Sequence, residues 1–288
     1  MNWLKRHPLF VFYGLTFVIS WGIWIPLVVL QADHPIYRLG AFGPTLAAIL
    51  LTLINGGRVG LRALLKRLLI WRVNVGWYLF SFLSTAVVAL MAICLHVRLG
   101  GEAPKFNDPA QWYLVIPVFL YVLFLSVLGE EIGWRGYALP RLQARYGALG
   151  ASLILGVVWG FWHLPLFWMK GNFHQGIPVT LFLLQSVGLS ILFTWMFNHT
   201  RGSLLMPHLF HAASNTTLGV LPILPMNTGG DTRPMWLAVG LLWMFAIAIV
   251  MAFGPAHLSR PWSLAQSKDW PSDKAQTIKS SAERRSAK

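Results

Sequence analysis

Long apolar stretches separated by short polar connections dominate this sequence. Eight of them are long enough to cross a hydrocarbon core of about 30 Å as helices, at about 1.5 Å per residue. They cover approximately residues 9–30, 38–55, 77–99, 112–134, 148–169, 178–199, 203–222 and 234–254. The pattern therefore predicts an all-α, polytopic helical membrane protein with about eight transmembrane helices.

Two segments depart from this pattern. In residues 58–72, arginines and lysines alternate with leucines at helical spacing, which predicts an amphipathic helix on the cytoplasmic membrane surface. Residues 255–288 are polar and basic and cannot bury enough apolar area to fold alone, so we expect a disordered tail. Residues 1–254 are predicted to form a single helical membrane domain.

Composition and charge agree with a membrane protein. Hydrophobic residues make up 56% of the chain and charged residues 11%, whereas soluble domains carry about 25% charged residues. The net charge of +14 could indicate nucleic-acid binding, but most of the basic residues lie in alternate connections, as expected for the cytoplasmic side. We therefore expect no nucleic-acid partner, and both termini in the cytoplasm.

Acidic residues are rare, and two of them are adjacent. Of nine Asp and Glu residues, only Glu130 and Glu131 follow directly on a long apolar stretch. An ionised carboxylate at the centre of a bilayer costs about 2.5–3.5 kcal/mol on insertion scales, so carboxylates at such positions are usually functional. This pair is the first candidate for chemistry.

The spacing around the pair suggests separate roles. Arg135 lies four residues after Glu131, one helical turn away, and within reach of an ion pair. Glu130 would be rotated by about 100° on a regular helix and would be free to act as a base. The alternative, in which both carboxylates only lock helices together, stays open on this segment alone.

Three of the nine histidines fall inside predicted spans and away from their ends. His163 lies among aromatic residues, and His211 shares a helix face with Asn215, four residues later. His208 lies one turn before His211, and its role stays open between a third contributor and a gate residue near the interface. The other histidines lie in connections or near the ends of spans and of the chain: His7, His34, His96, His174, His199 and His257.

These pieces occur in a specific order. Glu-Glu-x-x-x-Arg covers 130–135, an aromatic-x-x-x-His covers 159–163, and His-x-x-x-Asn covers 211–215. The ordered set resembles the CPBP family of intramembrane proteases, the Abi or type II CAAX prenyl endopeptidase group. The resemblance extends over about residues 112–218, and it departs at one position, where Trp159 stands in place of the usual Phe.

The resemblance implies a peptide hydrolase. Glu130 would activate water with help from His163, while His211 and Asn215 would stabilise the oxyanion of the tetrahedral intermediate. A positioned proton acceptor and prepositioned hydrogen-bond donors are the two devices that such a reaction requires. A serine or cysteine nucleophile is not needed.

The same resemblance leaves the metal question open. Whether or not a metal takes part, the Glu131–Arg135 pair would orient the site. In an older interpretation of the family, a divalent metal such as zinc binds Glu130, His163 and His211 and activates a water in its open position. The sequence contains no His-Glu-x-x-His motif, and we favour metal-independent catalysis.

The expected partners are the lipid bilayer and a peptide or protein substrate that is prenylated or otherwise hydrophobic. Two other functions stay open at this point. Intramembrane Glu and His also form proton relays in ion-coupled transporters, and a non-enzymatic scaffold or immunity protein could use the same residues only to pack helices. The short chain and the lack of organelle signals favour a prokaryotic cytoplasmic membrane.

Overall fold

The structure, a computed structural model, describes residues 6–106 and 109–259. Its main elements are eight α-helices: α1 Pro8–Val29, α2 Gly43–Lys66, α3 Val75–Arg98, α4 Val115–Leu125, α5 Leu139–Trp162, α6 Val179–His199, α7 Leu205–Val220 and α8 Arg233–Phe253. A π-helix, Ile132–Ala138, precedes α5, and short 3-10 turns join several of the helices. The described residues contain no β-strand, so the predicted all-α class is confirmed.

Seven stretches of the described chain are helical, long and apolar enough to cross a membrane. They contain every α-helix except α7, which has 16 residues and is mostly buried among its neighbours. Large apolar side chains are exposed on the outer faces of the other helices, as expected for surfaces that contact lipid. The prediction of about eight spans is confirmed, with α7 as the short inner member.

The fourth predicted span is not one continuous helix. α4 ends at Leu125, the backbone breaks at Ser126 (φ −126°, ψ −67°), and a 3-10 turn leads to Glu130 before the π-helix begins at Ile132. A π-helix bonds residue i to i+5 and contains more residues per turn than an α-helix. Glu130 caps the 3-10 turn and Glu131 caps the π-helix, so the two residues do not share the regular α-helix on which the estimate of a 100° rotation was based, although their side chains do contact different partners.

Two long helices contain kinks at glycine. Gly57 in α2 has φ 58° and ψ −158°, and Gly147 in α5 has φ 69° and ψ 178°. Positive φ is costly for residues with a Cβ atom and is readily adopted by glycine. The first kink separates the membrane part of α2 from the basic segment that follows it, and the second separates the start of α5 from its longer second half.

The basic segment 58–72 is only partly the surface helix that its pattern predicts. It is α-helical to Lys66, passes through a 3-10 turn, and then becomes irregular. Arg67 is half-buried: its Nε donates to the Gly202 carbonyl at 2.9 Å and its Nη1 to the Gly136 carbonyl at 3.1 Å. Arg67 thus links the π-helix to the start of α7 rather than binding the membrane surface.

The packed part of the chain extends beyond the predicted boundary at residue 254. The amides of Ala148 and Leu149 donate to the carbonyls of Ala256 and Pro255, at 2.8 and 2.9 Å. Because α5 restarts after its kink, its first N–H groups need acceptors from outside the helix. Residues 255–259 are therefore ordered, and the remainder of the predicted tail, 260–288, lies outside the described residues, as do residues 1–5.

Small residues let α5 pack closely on α6. A Cβ atom added at Gly156 would lie 2.6 Å from Val187 Cα, and one at Gly160 would lie 2.6 Å from Leu183 Cδ2. Small residues at such contacts allow membrane helices to approach each other. This packing fixes the end of α5 that carries the second motif.

Gly133 provides a test of how the glutamate segment is held. A Cβ atom there would lie 2.5 Å from the carbonyl carbon and oxygen of Pro44, at the start of α2. We expect Gly133→Ala to lower the free energy of unfolding by about 1–3 kcal/mol through overpacking, measured by thermal unfolding in detergent. Gly240→Ala in α8 is the matched control, because no atom lies within 4 Å of the added Cβ. Equal melting temperatures for both variants would contradict the close approach.

Candidate active site

The three motifs meet in one buried site. The Glu-Glu-x-x-x-Arg motif lies where the 3-10 turn joins the π-helix. The aromatic-x-x-x-His motif lies at the end of α5, and the His-x-x-x-Asn motif lies on α7. Glu130, Glu131, Arg135, His163 and His211 are all at most 8% exposed. The predicted set of residues is thus brought together from three separate parts of the chain, in surroundings that exclude bulk water.

Glu131 connects the first motif to the third. Its Oε1 accepts hydrogen bonds from Arg135 Nη1 and from His211 Nδ1, both at 2.8 Å. The ion pair with Arg135 is the one that the spacing predicts, and neither side chain is exposed. Since an ionised carboxylate can only accept, His211 must carry a proton on Nδ1, and its ring orientation is fixed.

Glu130 has different neighbours. Its Oε2 accepts a hydrogen bond from Trp159 Nε1 at 2.7 Å. Within residues 6–106 and 109–259 it forms no salt bridge. The indole at position 159 therefore supplies a donor that a phenylalanine could not supply, and it holds one oxygen of Glu130 while the other stays available.

His163 presents a lone pair to the site. Its Nδ1 lies 2.8 Å from the carbonyl oxygen of Trp159, so Nδ1 is the protonated nitrogen and Nε2 of the neutral ring is an acceptor. The Trp159 ring packs edge-on against His163 and against His211, with centroids 5.8 and 5.3 Å apart. Trp159 thus contacts Glu130 and both histidines.

Aromatic rings also hold Arg135. Its guanidinium carbon lies 4.6 Å from the centroid of the Trp159 ring and 3.8 Å from that of Phe193 on α6. Cation–π contacts of this kind stabilise a charge that is removed from water. The role of Phe193 could not be found from the sequence, because a phenylalanine in an apolar helix carries no distinguishing signal.

His208 and Asn215 lie on α7, one turn before and one turn after His211. His208 is 3% exposed, and its Nδ1 lies 2.6 Å from the Leu204 carbonyl oxygen. It is therefore buried among its neighbours on the helix that carries His211. Asn215 is half-buried, and its amide forms no hydrogen bond with the other described residues, so its donors are available to a bound molecule.

His174, assigned from the sequence to a connection, lies beside the site. It is 3% exposed, and its ring centroid is 5.5 Å from that of His163. Burial holds the pKa of His174 well below its usual value, and His163 adds to this effect, so the ring is neutral. The spacing of eleven residues does not predict this contact, because two 3-10 turns, Leu164–Trp168 and Phe173–Gly176, bring the two histidines together.

The described side chains do not form a metal site. No three His, Cys, Asp or Glu residues in this part of the chain are grouped so that they could hold a metal ion. The sequence suggests Glu130, His163 and His211 as ligands. One carboxylate oxygen of Glu130 and the Nδ1 atom of each histidine already form hydrogen bonds. These bonds leave the Nε2 atoms of both histidines and the second oxygen of Glu130 unused, and metal-bound histidines commit their other ring nitrogen in the same way, so the hydrogen bonds alone do not distinguish a metal-bound water from a free one.

Trp159→Phe tests the importance of the indole N–H. The substitution keeps an aromatic ring near Arg135 but removes the hydrogen bond to Glu130. Hydrogen bonds to charged groups contribute about 1.5–3 kcal/mol, so we expect turnover to fall by roughly tenfold or more with little change in melting temperature. The measurement is kcat for peptide cleavage by the purified variant. Full activity would show that Glu130 does not depend on this donor.

Comparisons with known proteins agree with this geometry. A family model described as type II CAAX prenyl endopeptidase Rce1-like matches residues 109–217. The chain is also 28% identical over 264 residues to the protein named CAAX prenyl protease 2 of Methanococcus maripaludis, an alignment that covers 86% of this chain and 94% of the relative. The region matched by the family model contains all three motifs of the buried site. The matched region is therefore similar to the Rce1-like type II CAAX prenyl endopeptidases, and the chain is a protease embedded in a membrane.

Proposed function

We propose that this protein hydrolyses a peptide bond of a membrane-associated, lipidated substrate by means of a water molecule activated by Glu130 and His163. The observation that supports this most strongly is the different pairing of the two adjacent glutamates. Glu131 is committed to Arg135 and His211, whereas Glu130 accepts, from the residues that the structure describes, a hydrogen bond from a neutral indole donor. The Glu131 carboxylate thus holds Arg135 and His211 in place, while the Glu130 carboxylate can accept a proton.

In the proposed reaction, Glu130 and the Nε2 lone pair of His163 polarise the water. One water proton passes to this pair as the water oxygen bonds to the carbonyl carbon of the substrate. The C–N bond of the tetrahedral intermediate then breaks, and the same proton is delivered to the leaving amine. A proton acceptor placed in this way contributes typically 10²–10⁴-fold in rate.

His211 and Asn215 are proposed to stabilise the oxyanion. His211 already donates from Nδ1 to Glu131, so it can donate from Nε2 only in its doubly protonated form. The Asn215 amide, one turn later, would supply a second donor. Donors fixed in place where negative charge develops are among the largest contributions to such reactions.

The substrate class is inferred from the relative and from a cavity. The relative is named for CAAX prenyl proteolysis, and prenylation attaches an isoprenoid to a cysteine. An apolar cavity of about 550 Å³ lies between α3, α6, α7 and α8, and Ser214, which precedes Asn215, lines it. Ligand cavities typically measure roughly 300–1,000 Å³, so a hydrocarbon chain could lie there beside the oxyanion donors.

Two further properties complete the proposal. Catalysis is proposed to be independent of a metal, and the support for this is that no three His, Cys, Asp or Glu residues of the described chain are grouped so that they could hold a metal ion. The location is proposed to be a prokaryotic cytoplasmic membrane, with both termini on the cytoplasmic side. The excess of basic residues in alternate connections supports this orientation.

The test is cleavage by the purified protein in liposomes. A peptide with a farnesylated cysteine near its carboxyl end and the same peptide without the lipid are incubated with the protein, before and after exhaustive treatment with a chelator, and products are identified by mass spectrometry. We expect cleavage of the farnesylated peptide at a rate that the chelator leaves unchanged. Equal cleavage of both peptides would contradict the substrate class, and loss of activity restored by a metal would contradict metal independence.

A further inference from the structure

The end of α2 carries a row of basic side chains that the active site does not use. After the kink at Gly57, Arg58, Arg62 and Lys66 follow one another at intervals of four residues, so they lie along one side of the helix. All three are exposed, and within residues 6–106 and 109–259 none of them forms a salt bridge. The sequence contains no Asp or Glu from position 34 to position 101, so this positive charge has no acidic neighbour along the segment.

A row of leucines lies directly beside the basic row. Leu61, Leu65 and Leu69 each follow a member of that row by three residues, a spacing that makes side chains neighbours on a helix surface. Leu65 packs partly against the core, whereas Leu69 is 73% exposed. Both rows line one open groove on the surface of the protein, which therefore presents positive charge and apolar surface side by side.

The groove lies where lipid headgroups meet hydrocarbon. The part of α2 before Gly57 is apolar and belongs to a stretch that can cross a membrane, and the segment ends near Trp71, which is 58% exposed. Tryptophan is enriched at this interface, and the long side chains of Lys and Arg reach from it toward the headgroups. Basic and apolar side chains are therefore presented together to the headgroup region.

We propose that this groove, lined by residues 58–69, is a binding site for an anionic phospholipid. The lipid phosphate lies on the charged groups of Arg58, Arg62 and Lys66, and one hydrocarbon chain lies along the leucine row. A guanidinium can hold a phosphate through two parallel hydrogen bonds, and basic clusters beside a membrane span attract anionic lipids. A soluble anion would leave the leucines without a partner, and a zwitterionic lipid would leave the positive charge uncompensated.

The same segment is joined to the elements that carry the active site. Arg67 donates to the carbonyls of Gly136, in the π-helix, and of Gly202, just before α7. Ser203 Oγ donates to the Ile70 carbonyl at 2.7 Å. A lipid that holds the groove in place therefore also stabilises the π-helix and the start of α7, which should favour cleavage. Lipid binding does not depend on the proposed hydrolysis, whereas this effect on cleavage rests on it.

The test of the site is the lipid that the purified protein retains. The protein in detergent receives equal amounts of phosphatidylglycerol and phosphatidylcholine, and native mass spectrometry counts the bound molecules. We expect the unsubstituted protein to prefer phosphatidylglycerol. In Arg58→Gln/Arg62→Gln/Lys66→Gln this preference should fall by at least about tenfold, since each basic residue near an anionic surface contributes roughly fivefold. The melting temperature without added lipid should be unchanged, because the three side chains are exposed.

Two further variants separate the groove from overall charge. Arg98→Gln/Lys105→Gln/Lys170→Gln removes the same charge from exposed positions in other connections and should retain the preference. Arg58→Lys/Arg62→Lys keeps the charge of the groove and should retain most of it. Equal retention of both lipids by the unsubstituted protein, or an equal loss in the control variant, would overturn the site. Displacement of the lipid by the same concentration of glycerol phosphate would overturn the role of the leucine row.

Cleavage of the farnesylated peptide tests the effect on the active site. In phosphatidylcholine liposomes, added phosphatidylglycerol should raise kcat of the unsubstituted protein severalfold and leave that of Arg58→Gln/Arg62→Gln/Lys66→Gln unchanged. A preference for phosphatidylglycerol in the mass spectra without this rise would support the lipid site and overturn its effect on cleavage. If no liposome supports cleavage, the proposed function fails, and the lipid counts still decide the site.

Discussion

Replacing Glu130 by Gln is expected to abolish peptide cleavage and leave the fold intact. Gln has nearly the same size, and its amide oxygen can still accept the hydrogen bond from Trp159 Nε1, which lies 2.7 Å from the carboxylate. It cannot accept a proton from water, however. Loss of such a base costs roughly 10²–10⁴-fold in rate, to be measured as kcat on the farnesylated peptide in liposomes.

The control for this prediction is another glutamate outside the site. Glu102 lies in the exposed connection after α3, and Glu102→Gln should cleave at the unsubstituted rate. The melting temperature of Glu130→Gln should also be close to that of the unsubstituted protein. A Glu130→Gln variant that keeps more than a tenth of the activity would assign the base to another residue.

Replacing Arg135 by Met is expected to have the largest effect on stability. The guanidinium and the Glu131 carboxylate are both fully buried and lie 2.8 Å apart. Removing one partner of a buried ion pair leaves an uncompensated charge and costs about 3–5 kcal/mol. Thermal unfolding in detergent should therefore show a large decrease in melting temperature, and activity should be lost because Glu131 and His211 are no longer held.

A second substitution, added to Arg135→Met, measures how much of the loss of stability comes from the unpaired charge of Glu131. In the double variant Glu131→Gln/Arg135→Met no unpaired charge remains, so its melting temperature should recover part of the loss seen in Arg135→Met. Activity should not recover, because the carboxylate that orients His211 is missing. A double variant less stable than Arg135→Met would indicate that the Glu131 carboxylate stabilises the fold through its hydrogen bond with His211 even when Arg135 is absent.

Much of the site follows from simple spacing rules. Glu131 and Arg135 are four residues apart on a helical segment, and they pair as expected. His211 and Asn215 share a face of α7 for the same reason. The convergence of three motifs could also be inferred, since charged and polar groups in apolar helices must find one another when water is excluded.

Other features depend on tertiary packing and could not be read from the sequence. The π-helix at 132–138 has no composition that distinguishes it from an α-helix, and it forms where Gly133 approaches α2. The hydrogen bond from Trp159 to Glu130 requires the relative position of two elements. The basic residues around Arg67 predict that it lies on the membrane surface. In the structure its guanidinium instead donates to carbonyls from distant parts of the chain.

The central claim is that Glu130 and His163 act as one unit on a single water. The most direct measurement is the rate of farnesylated-peptide cleavage by the double variant Glu130→Gln/His163→Ala, compared with each single variant. Residues that act as a unit give strongly non-additive effects, so the double variant is predicted to be no slower than the slower of the two single variants. Losses that multiply in the double variant, or cleavage retained near the unsubstituted rate, would contradict the account.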